Sequence, residues 1–357
     1  MAAASNVIKR GAAKRGGRTK TSRSRKLIIQ IPCFNEAETL PIALAALPRE
    51  VPGYTEVEWL IIDDGSTDNT VEVARAHGVD HIVQLRHNVG LARGFMAGIE
   101  ACLRLGAHTI VNTDADNQYD AGSIPDLVQP ILDGKADLVV GARPIQEIEH
   151  FSPIKKFLQN LGSWVVRVAS RTNIPDAPSG FRAIYWEAAL RLNVFSEYTY
   201  TLETIIQAGR KNMRIVSVPV GVNEDLRPSR LVKSIRSYVW RSIVTIIRIF
   251  LIYRPLKTFM LLSLIFFTGF LLIAGRFLYF FAIGEGDGHI QSLMLAVILA
   301  TAGFLSFSVA VIADLLSVNR ALLEDLRQRE LRREISSWAL TSARDDRLTE
   351  AATGERS

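Results

Sequence analysis

Thr109-Ile110-Val111-Asn112-Thr113-Asp114-Ala115-Asp116-Asn117-Gln118 is the stretch on which the fold turns. A short β-rich run, Thr109–Asn112, breaks off into two carboxylates one residue apart, with an amide side chain two positions further on. Such a run reads as a buried strand, and acids placed directly after it stand at the strand's carboxyl end, the edge of an α/β sheet where ligands bind. Two carboxylates there offer oxygen ligands to a Mg²⁺ or Mn²⁺ ion that also holds a diphosphate. Taken alone, the Asp114/Asp116 pair would serve equally well to cap a helix, so the surrounding chain has to decide.

Working outward, further β-rich runs recur at Leu27–Ile31, Trp59–Ile62, His81–Leu85, Leu138–Val140 and Ile215–Val218. Between them lie stretches of helical periodicity at Ala37–Leu47, Asn69–Ala76, Leu91–Leu105, Ile124–Leu132 and Ile154–Arg171. This alternation predicts an α/β domain over residues 27–230, Rossmann-like with a mostly parallel sheet. The only cysteines, Cys33 and Cys102, are too few and too far apart for a disulfide framework or a CxxC metal site, and they read as reduced buried residues.

Composition then changes. The chain is 48% hydrophobic, with mean hydropathy +0.16, more apolar than a soluble enzyme of its length. Residues 231–255 set Lys233, Arg236, Arg241 and Arg248 among Ile, Val, Trp and Phe at helical spacing, which predicts an amphipathic helix in the membrane interface; packing on the soluble domain is the alternative. Two long apolar segments follow, 256–283 and 290–318, each able to cross a bilayer core of about 30 Å. Lys and Arg crowd their inner flanks (Arg254, Lys257, Arg320, Arg327) and are absent from the turn between them, so the domain and both termini are expected on the cytoplasmic side of the cell membrane. Arg276 snorkels outward on this reading, while Asp314 lies at the other membrane depth. Residues 319–357 read as a charged cytoplasmic tail.

Net charge is +6, yet the first 26 residues hold nine Lys or Arg and no acid, so the basicity belongs to a disordered tail, either near anionic lipid or simply solvated. That tail has no aromatic residue to stack on bases, which argues against nucleic acid as a partner.

Other polar segments fall at strand ends. Pro32-Cys33-Phe34-Asn35-Glu36 follows the first, where an amide and a carboxylate can read a nucleobase edge; Glu36 alternatively favours a helix N-terminus. Asp63 and Asp64, in Asp63-Asp64-Gly65-Ser66-Thr67-Asp68, can accept from base or ribose donors, whereas Asp68 reads as a helix cap. Gly90, Gly94 and Gly98 match neither a dinucleotide fingerprint nor a P-loop, and close helix–sheet packing explains them. Arg93 among them is either a phosphate contact or a surface residue.

In this order, Pro32–Glu36, Asp63–Asp68, Asn88–Gly98 and Asp114–Gln118 resemble the family 2 glycosyltransferases of GT-A fold, in particular those that transfer a sugar to dolichyl or undecaprenyl phosphate. The resemblance runs on through Gly141-Ala142-Arg143, Asp176–Arg182 (DAPSGFR) and Arg227-Pro228-Ser229-Arg230. It implies that Pro32, Asn35, Glu36 and Asp64 line the nucleotide pocket; Asp63 and Arg93, read from their own positions, are candidates for the same pocket, and Asp114 would reach the donor as well. It further implies that Asp114, Asp116 and Gln118 hold the metal and donor diphosphate. Arg143, Ser179, Arg182, Ser229 and Arg230 match positions near the donor or acceptor phosphates, and Pro144–Ser152 matches a loop over the acceptor site. Asn117-Gln118-Tyr119-Asp120 departs from relatives that carry His or Pro after the glutamine, and the Q-x-x-R-W motif of processive synthases is missing.

The expected reaction is therefore one inverting transfer from a UDP- or GDP-linked sugar to a polyprenyl phosphate, with Asp114, Asp116, Arg143 and Asp176 at the reacting centre. A phosphate with a second pKa of about 6 is already an anionic nucleophile, and if a base is used, Asp176 or Glu203 would supply it. Transfer to another lipid such as diacylglycerol, a catalytically silent membrane module and a two-helix transporter are the alternatives. Gly269, Gly275 or Gly303 would carry self-association of the hairpin into a homo-oligomer.

Overall fold

The structure, a computed structural model, describes residues 25–144, 167, 170, 172, 174–194, 200–223, 240, 244, 247–284 and 290–354, with side chains in the last helix described as far as Ile335. The basic tail before residue 25, the loop 145–152, most of 154–171, Ser229, Arg230 and most of 231–246 lie outside these residues.

Seven strands form one sheet: β1 (Lys26–Cys33), β2 (Glu56–Asp63), β3 (His81–Gln84), β4 (Thr109–Asn112), β5 (Leu138–Ala142), β6 (Arg182–Tyr185) and β7 (Ile215–Pro219). Their spatial order is β3-β2-β1-β4-β6-β5-β7. β6 alone runs antiparallel to both neighbours, β4 and β5. The mostly parallel sheet read from the sequence is thus observed, with one reversed strand inside it, four residues that start on the last residue of DAPSGFR.

Helices α1 (Leu40–Ala46), α2 (Thr70–Ala76), α3 (Leu91–Arg104), α4 (Ile124–Leu132), α5 (Trp186–Ala189) and α6 (Thr201–Arg210) cover the sheet. Alternation along β1 shows why both faces need cover: Leu27, Ile29 and Ile31 enter the core under α1 and α4, while Ile28 enters the other core under α3 and α6. Gln30 shares that second face, fully buried, and donates to Asn112 Oδ1 at 2.9 Å. Gly98 of α3 lies directly above it; a methyl group there would sit 2.6 Å from Gln30 Oε1. Close packing, the sequence reading for this glycine, is its role.

Two long helices follow, α7 (Pro255–Ala282) and α8 (Ile290–Gly354). Both contain a stretch long and apolar enough to cross a membrane, with few of its residues buried. They pack on each other through Ser263, whose hydroxyl donates to the Gly303 carbonyl at 2.9 Å, and through Gly303 and Gly269, which lie against Phe267 and Leu299. Gly269 and Gly303 are therefore used inside the hairpin, a correction to their assignment to self-association; only Gly275 of the three faces open space. The charged segment from 319 differs from the expected tail: α8 continues unbroken and Leu331 and Ile335 join the core under α3. Before α7, Trp240, Val244, Ile247 and Leu251 are exposed at helical spacing, whereas Ile249 and Tyr253 are buried.

Candidate active site

Asp114 and Asp116 stand, half-buried, just past the end of β4. They are not spent on a helix cap. Asp120 takes that role, accepting the Gly122 amide at 2.9 Å, while Asp116 accepts the nearby Gln118 amide at 3.2 Å. Asn117 adopts φ +57, which turns the chain tightly enough for Gln118 to follow the pair. The turn is fastened by Asn223, whose Nδ2 donates to the Asn117 carbonyl and whose amide donates to the Gln118 carbonyl, both at 2.9 Å. Burial first, then the neighbouring Asp116 charge, raises the Asp114 carboxyl to about 7.

Behind Asp114 the packing is polar and close. Gly180 leaves no room for a side chain: a methyl group would lie 3.0 Å from both Asp114 Oδ2 and the Tyr200 hydroxyl. Asn112 Nδ2 donates to the Gly180 carbonyl and to the Tyr200 hydroxyl, each at 2.9 Å, and the Gly180 amide donates to the Tyr119 hydroxyl at 2.9 Å. Tyr200 stacks flat on Phe95, with ring centroids 4.0 Å apart.

On the neighbouring strand ends, Cys33 of β1 faces Asp63 of β2, and the two following loops are laced together. The Asn35 amide donates to Ser66 Oγ at 2.9 Å, Asn35 Oδ1 accepts the Thr67 amide at 2.8 Å, and the Glu36 amide donates to Thr70 Oγ1 at 2.9 Å. Glu36 also accepts the Thr39 hydroxyl at 2.7 Å, at the start of α1. Asp68, one residue before the Asn69 cap of α2, bonds the Thr70 and Ala37 amides, both at 3.1 Å, and so ties the two loops as well as the helix start. Asp64 accepts the Val89 and Gly90 amides at 2.8 and 2.9 Å, so its carboxylate positions the entry to α3. Asp63 is different: Oδ1 accepts the Ser66 amide at 3.1 Å, and Oδ2 is buried with no hydrogen-bond partner. An orphaned carboxylate oxygen is costly, and a donor on a bound nucleoside would relieve it. Arg93 lies exposed in the first turn of α3.

Arg143, just past the end of β5, lies near enough for its charge to act on Asp114. Its Nε and a terminal nitrogen donate to the two Asp176 oxygens at 2.8 and 3.0 Å, and its backbone amide donates to Asp176 Oδ2 at 3.2 Å. The guanidinium lies 5.9 Å from the centre of the Tyr119 ring. Asp176, with a side chain 1% exposed, is committed to this arginine. Both of its oxygens are thus spent on holding Arg143. Glu203, the other base candidate, accepts the Tyr253 hydroxyl at 2.8 Å and lies 3.6 Å from Arg320.

Arg182 is fully buried. It donates to the Ser179 and Ala177 carbonyls at 2.8 Å each and to the Thr204 hydroxyl. Expected among the phosphate ligands, it instead ties the DAPSGFR loop to α6. Burial lowers it to about 10. Ser179 is fully buried beside it, its Oγ without a partner.

The model of the family described as glycosyl transferase family 2 matches residues 28–190, which hold the strand-end carboxylates and Arg143. An uncharacterized glycosyltransferase of Mycobacterium tuberculosis is 35% identical over 195 residues, covering 54% of this chain and 83% of the relative. This chain belongs to glycosyl transferase family 2. An undecaprenyl-phosphate mannosyltransferase of Micrococcus luteus is 28% identical over 217 residues, covering 58% of this chain and 87% of that one. Among solved structures, glucosyl-3-phosphoglycerate synthase of Mycobacterium tuberculosis superposes with a TM-score of 0.50 at 20% identity, covering 64% of this chain and 79% of that one, a likeness of fold.

In this family 2 glycosyltransferase, no group of three His, Cys, Asp or Glu side chains able to hold a metal occurs among the described residues. Two half-exposed carboxylates, one with a raised pKa, suit a hard divalent ion that takes its other ligands from water and phosphate. Tyr119, Tyr200 and Asn112 are the supporting residues that sequence reasoning missed. Tyr119 had a signal, standing directly after Gln118, but Tyr200 reaches the site only through the fold.

Proposed function

We propose that this glycosyltransferase moves one sugar from a nucleotide-sugar to a polyprenyl phosphate at the cytoplasmic face of a membrane, inverting the anomeric centre. The observation that carries the reading is that the Asp176-held Arg143 lies close enough to the Asp114/Asp116 pair for its charge to act on Asp114, on a chain whose two apolar helices are uncovered. Relatives named for transfer to undecaprenyl phosphate support the acceptor class.

Asp114 and Asp116, with Gln118, would hold a Mg²⁺ or Mn²⁺ ion, which supplies charge neutralisation for a departing diphosphate. Asp63, through its free oxygen, accepts a donor of the nucleoside, and Pro32, Asn35 and Glu36 form the laced wall beside it. Asp64 acts on the pocket through the Val89–Gly90 backbone. Arg143 holds the acceptor phosphate with the guanidinium nitrogens that Asp176 leaves available. Arg230 and Ser229, outside the described residues, are assigned to the same phosphate by the family resemblance. The phosphate oxygen attacks as an anion, so Asp176 and Glu203 need not take a proton, and positioning and charge supply the rate.

The apolar hairpin places the cleft where the acceptor is, because an isoprenoid leaves lipid at a cost of about 0.8 kcal/mol per methylene. Trp240, Val244, Ile247 and Leu251 extend that apolar surface at headgroup level. The test is transfer from labelled UDP- and GDP-sugars to polyprenyl phosphate and to diacylglycerol by the purified protein, with the product anomer read by NMR. A lipid-phosphate sugar of inverted configuration supports the reading. Retained configuration, or product on diacylglycerol alone, contradicts it.

A further inference from the structure

Beyond the membrane-spanning stretch, α8 presents one continuous face to the catalytic domain. Arg320, Glu324, Arg327, Leu331 and Ile335 recur at helical spacing, a rise of about 22 Å. Arg320 lies 3.4 Å from the Tyr253 hydroxyl and 3.6 Å from Glu203, and Glu324 pairs with Lys211 at 2.8 Å. Arg327 pairs with Glu100 and bonds Asn193. Glu334 lies 3.6 Å from Arg104, Arg332 sits 5.9 Å from the centre of the Trp186 ring, and Ile335 is 6% exposed.

The two helices gripped are the ones that back the cleft. Glu100 and Arg104 belong to α3, whose first turn is set by Asp64. Glu203 belongs to α6, where Thr204 bonds Arg182 and Tyr200, just before the helix, accepts from Asn112 at the end of β4. No glycine or proline interrupts the chain from Phe304 to Thr353, so the membrane-spanning stretch and the docked stretch are one rod without a hinge.

We propose that residues 320–335 of α8 are a positioning strap, in which Arg320 and Arg327 fix the catalytic domain to the membrane hairpin so that the cleft meets a lipid-borne phosphate at one height and angle. The acceptor in this statement rests on the function proposed above; the mechanical link does not. Arg327 and Glu100 touch neither substrate nor metal site and act through α3. The strap discriminates between acceptors: a long isoprenoid held in a bilayer needs the fixed height, whereas a short, water-soluble isoprenyl phosphate can approach a loose domain.

The test uses Arg327→Glu, Glu100→Arg and the two combined, in the full chain in nanodiscs. Spin labels on cysteines introduced at Lys135 and Leu278, both exposed, report the distance between domain and hairpin; the native Cys33 and Cys102 are buried. The wild type should give one narrow distance. Each single reversal should broaden it and raise KM for long-chain polyprenyl phosphate about tenfold, with kcat on the short acceptor within about twofold, and the double reversal should restore both readouts. Narrow distances in all variants, or equal losses on both acceptors that the double reversal does not repair, would overturn the strap. A wild type inactive on every phosphate acceptor that still shows the reversible change in distance would sink the proposed function and leave the strap standing.

Discussion

Asp176 grips Arg143 with both carboxylate oxygens, at 2.8 and 3.0 Å, and takes the arginine's own backbone amide as a third bond. The guanidinium is thereby fixed at the end of β5 before any ligand arrives. Asp176→Asn leaves Arg143 with one acceptor in place of a paired charge. Loss of one partner of a buried pair costs about 3 kcal/mol, and the side chains here are 15% and 1% exposed. Thermal unfolding should show that loss, and kcat should fall at least about tenfold as the phosphate contact loosens. Asp176→Glu should recover part of both, whereas unchanged kcat with a lowered melting point would leave Asp176 a purely structural role.

Asp114 sets a pH dependence on stability. Its folded carboxyl, raised to about 7 by burial and by Asp116, sits above its ordinary value. The protonated form is therefore favoured by folding, and the contribution is complete below about pH 4 and lost as pH rises through about 7. Metal-free protein in chelator should melt progressively lower between these limits. Asp114→Asn should flatten that decline, gain about 1 kcal/mol at pH 8 and abolish transfer. A decline just as steep in Asp114→Asn would place its origin elsewhere.

Gly180→Ala tests the backing of the carboxylate pair. The added methyl would meet Asp114 Oδ2 and the Tyr200 hydroxyl at 3.0 Å, so Asp114 must move. Displaced support of this kind weakens metal binding by about tenfold or more, with an overpacking cost of about 1 kcal/mol. Mn²⁺ titration followed by electron paramagnetic resonance separates the two effects.

Much of this site is legible in the sequence, and the illegible part has a common cause. Asp114 and Asp116 could be read because a β-rich run ends on them. The roles of Asp64, Asp176 and Arg182 could not, because each is decided by a partner 25 or more positions away or by complete burial. β6 escaped notice because it opens on a charged residue, Arg182, and runs straight into α5 at Trp186 with no turn residue between. The docked end of α8 read as a solvated tail since its inward face mixes Arg320, Glu324 and Arg327 with Leu331 and Ile335, and ion pairs rather than apolar periodicity hold its upper half.

Arg182 separates structural from ligand-contacting arginines. With its guanidinium satisfied by Ser179, Ala177 and Thr204, Arg182→Ala strands buried carbonyls and should cost about 3 kcal/mol or more. It should lower folded yield and the apparent rate on all acceptors together. Arg93→Ala, at an exposed position, should change stability by no more than about 0.5 kcal/mol. A normal melting point in Arg182→Ala with a selective rise in acceptor KM would return Arg182 to the phosphate ligands.

The central claim is that the Asp114/Asp116 pair drives sugar transfer to a polyprenyl phosphate. It is tested most directly by comparing wild type with Asp116→Ala for transfer of labelled sugar to undecaprenyl and dolichyl phosphate in detergent with Mg²⁺ or Mn²⁺. The expected result is an acid-labile labelled lipid from the wild type that the variant, folded and still binding nucleotide, fails to make. Equal product from both proteins, or none from the wild type with any donor while nucleotide still binds, would contradict the account.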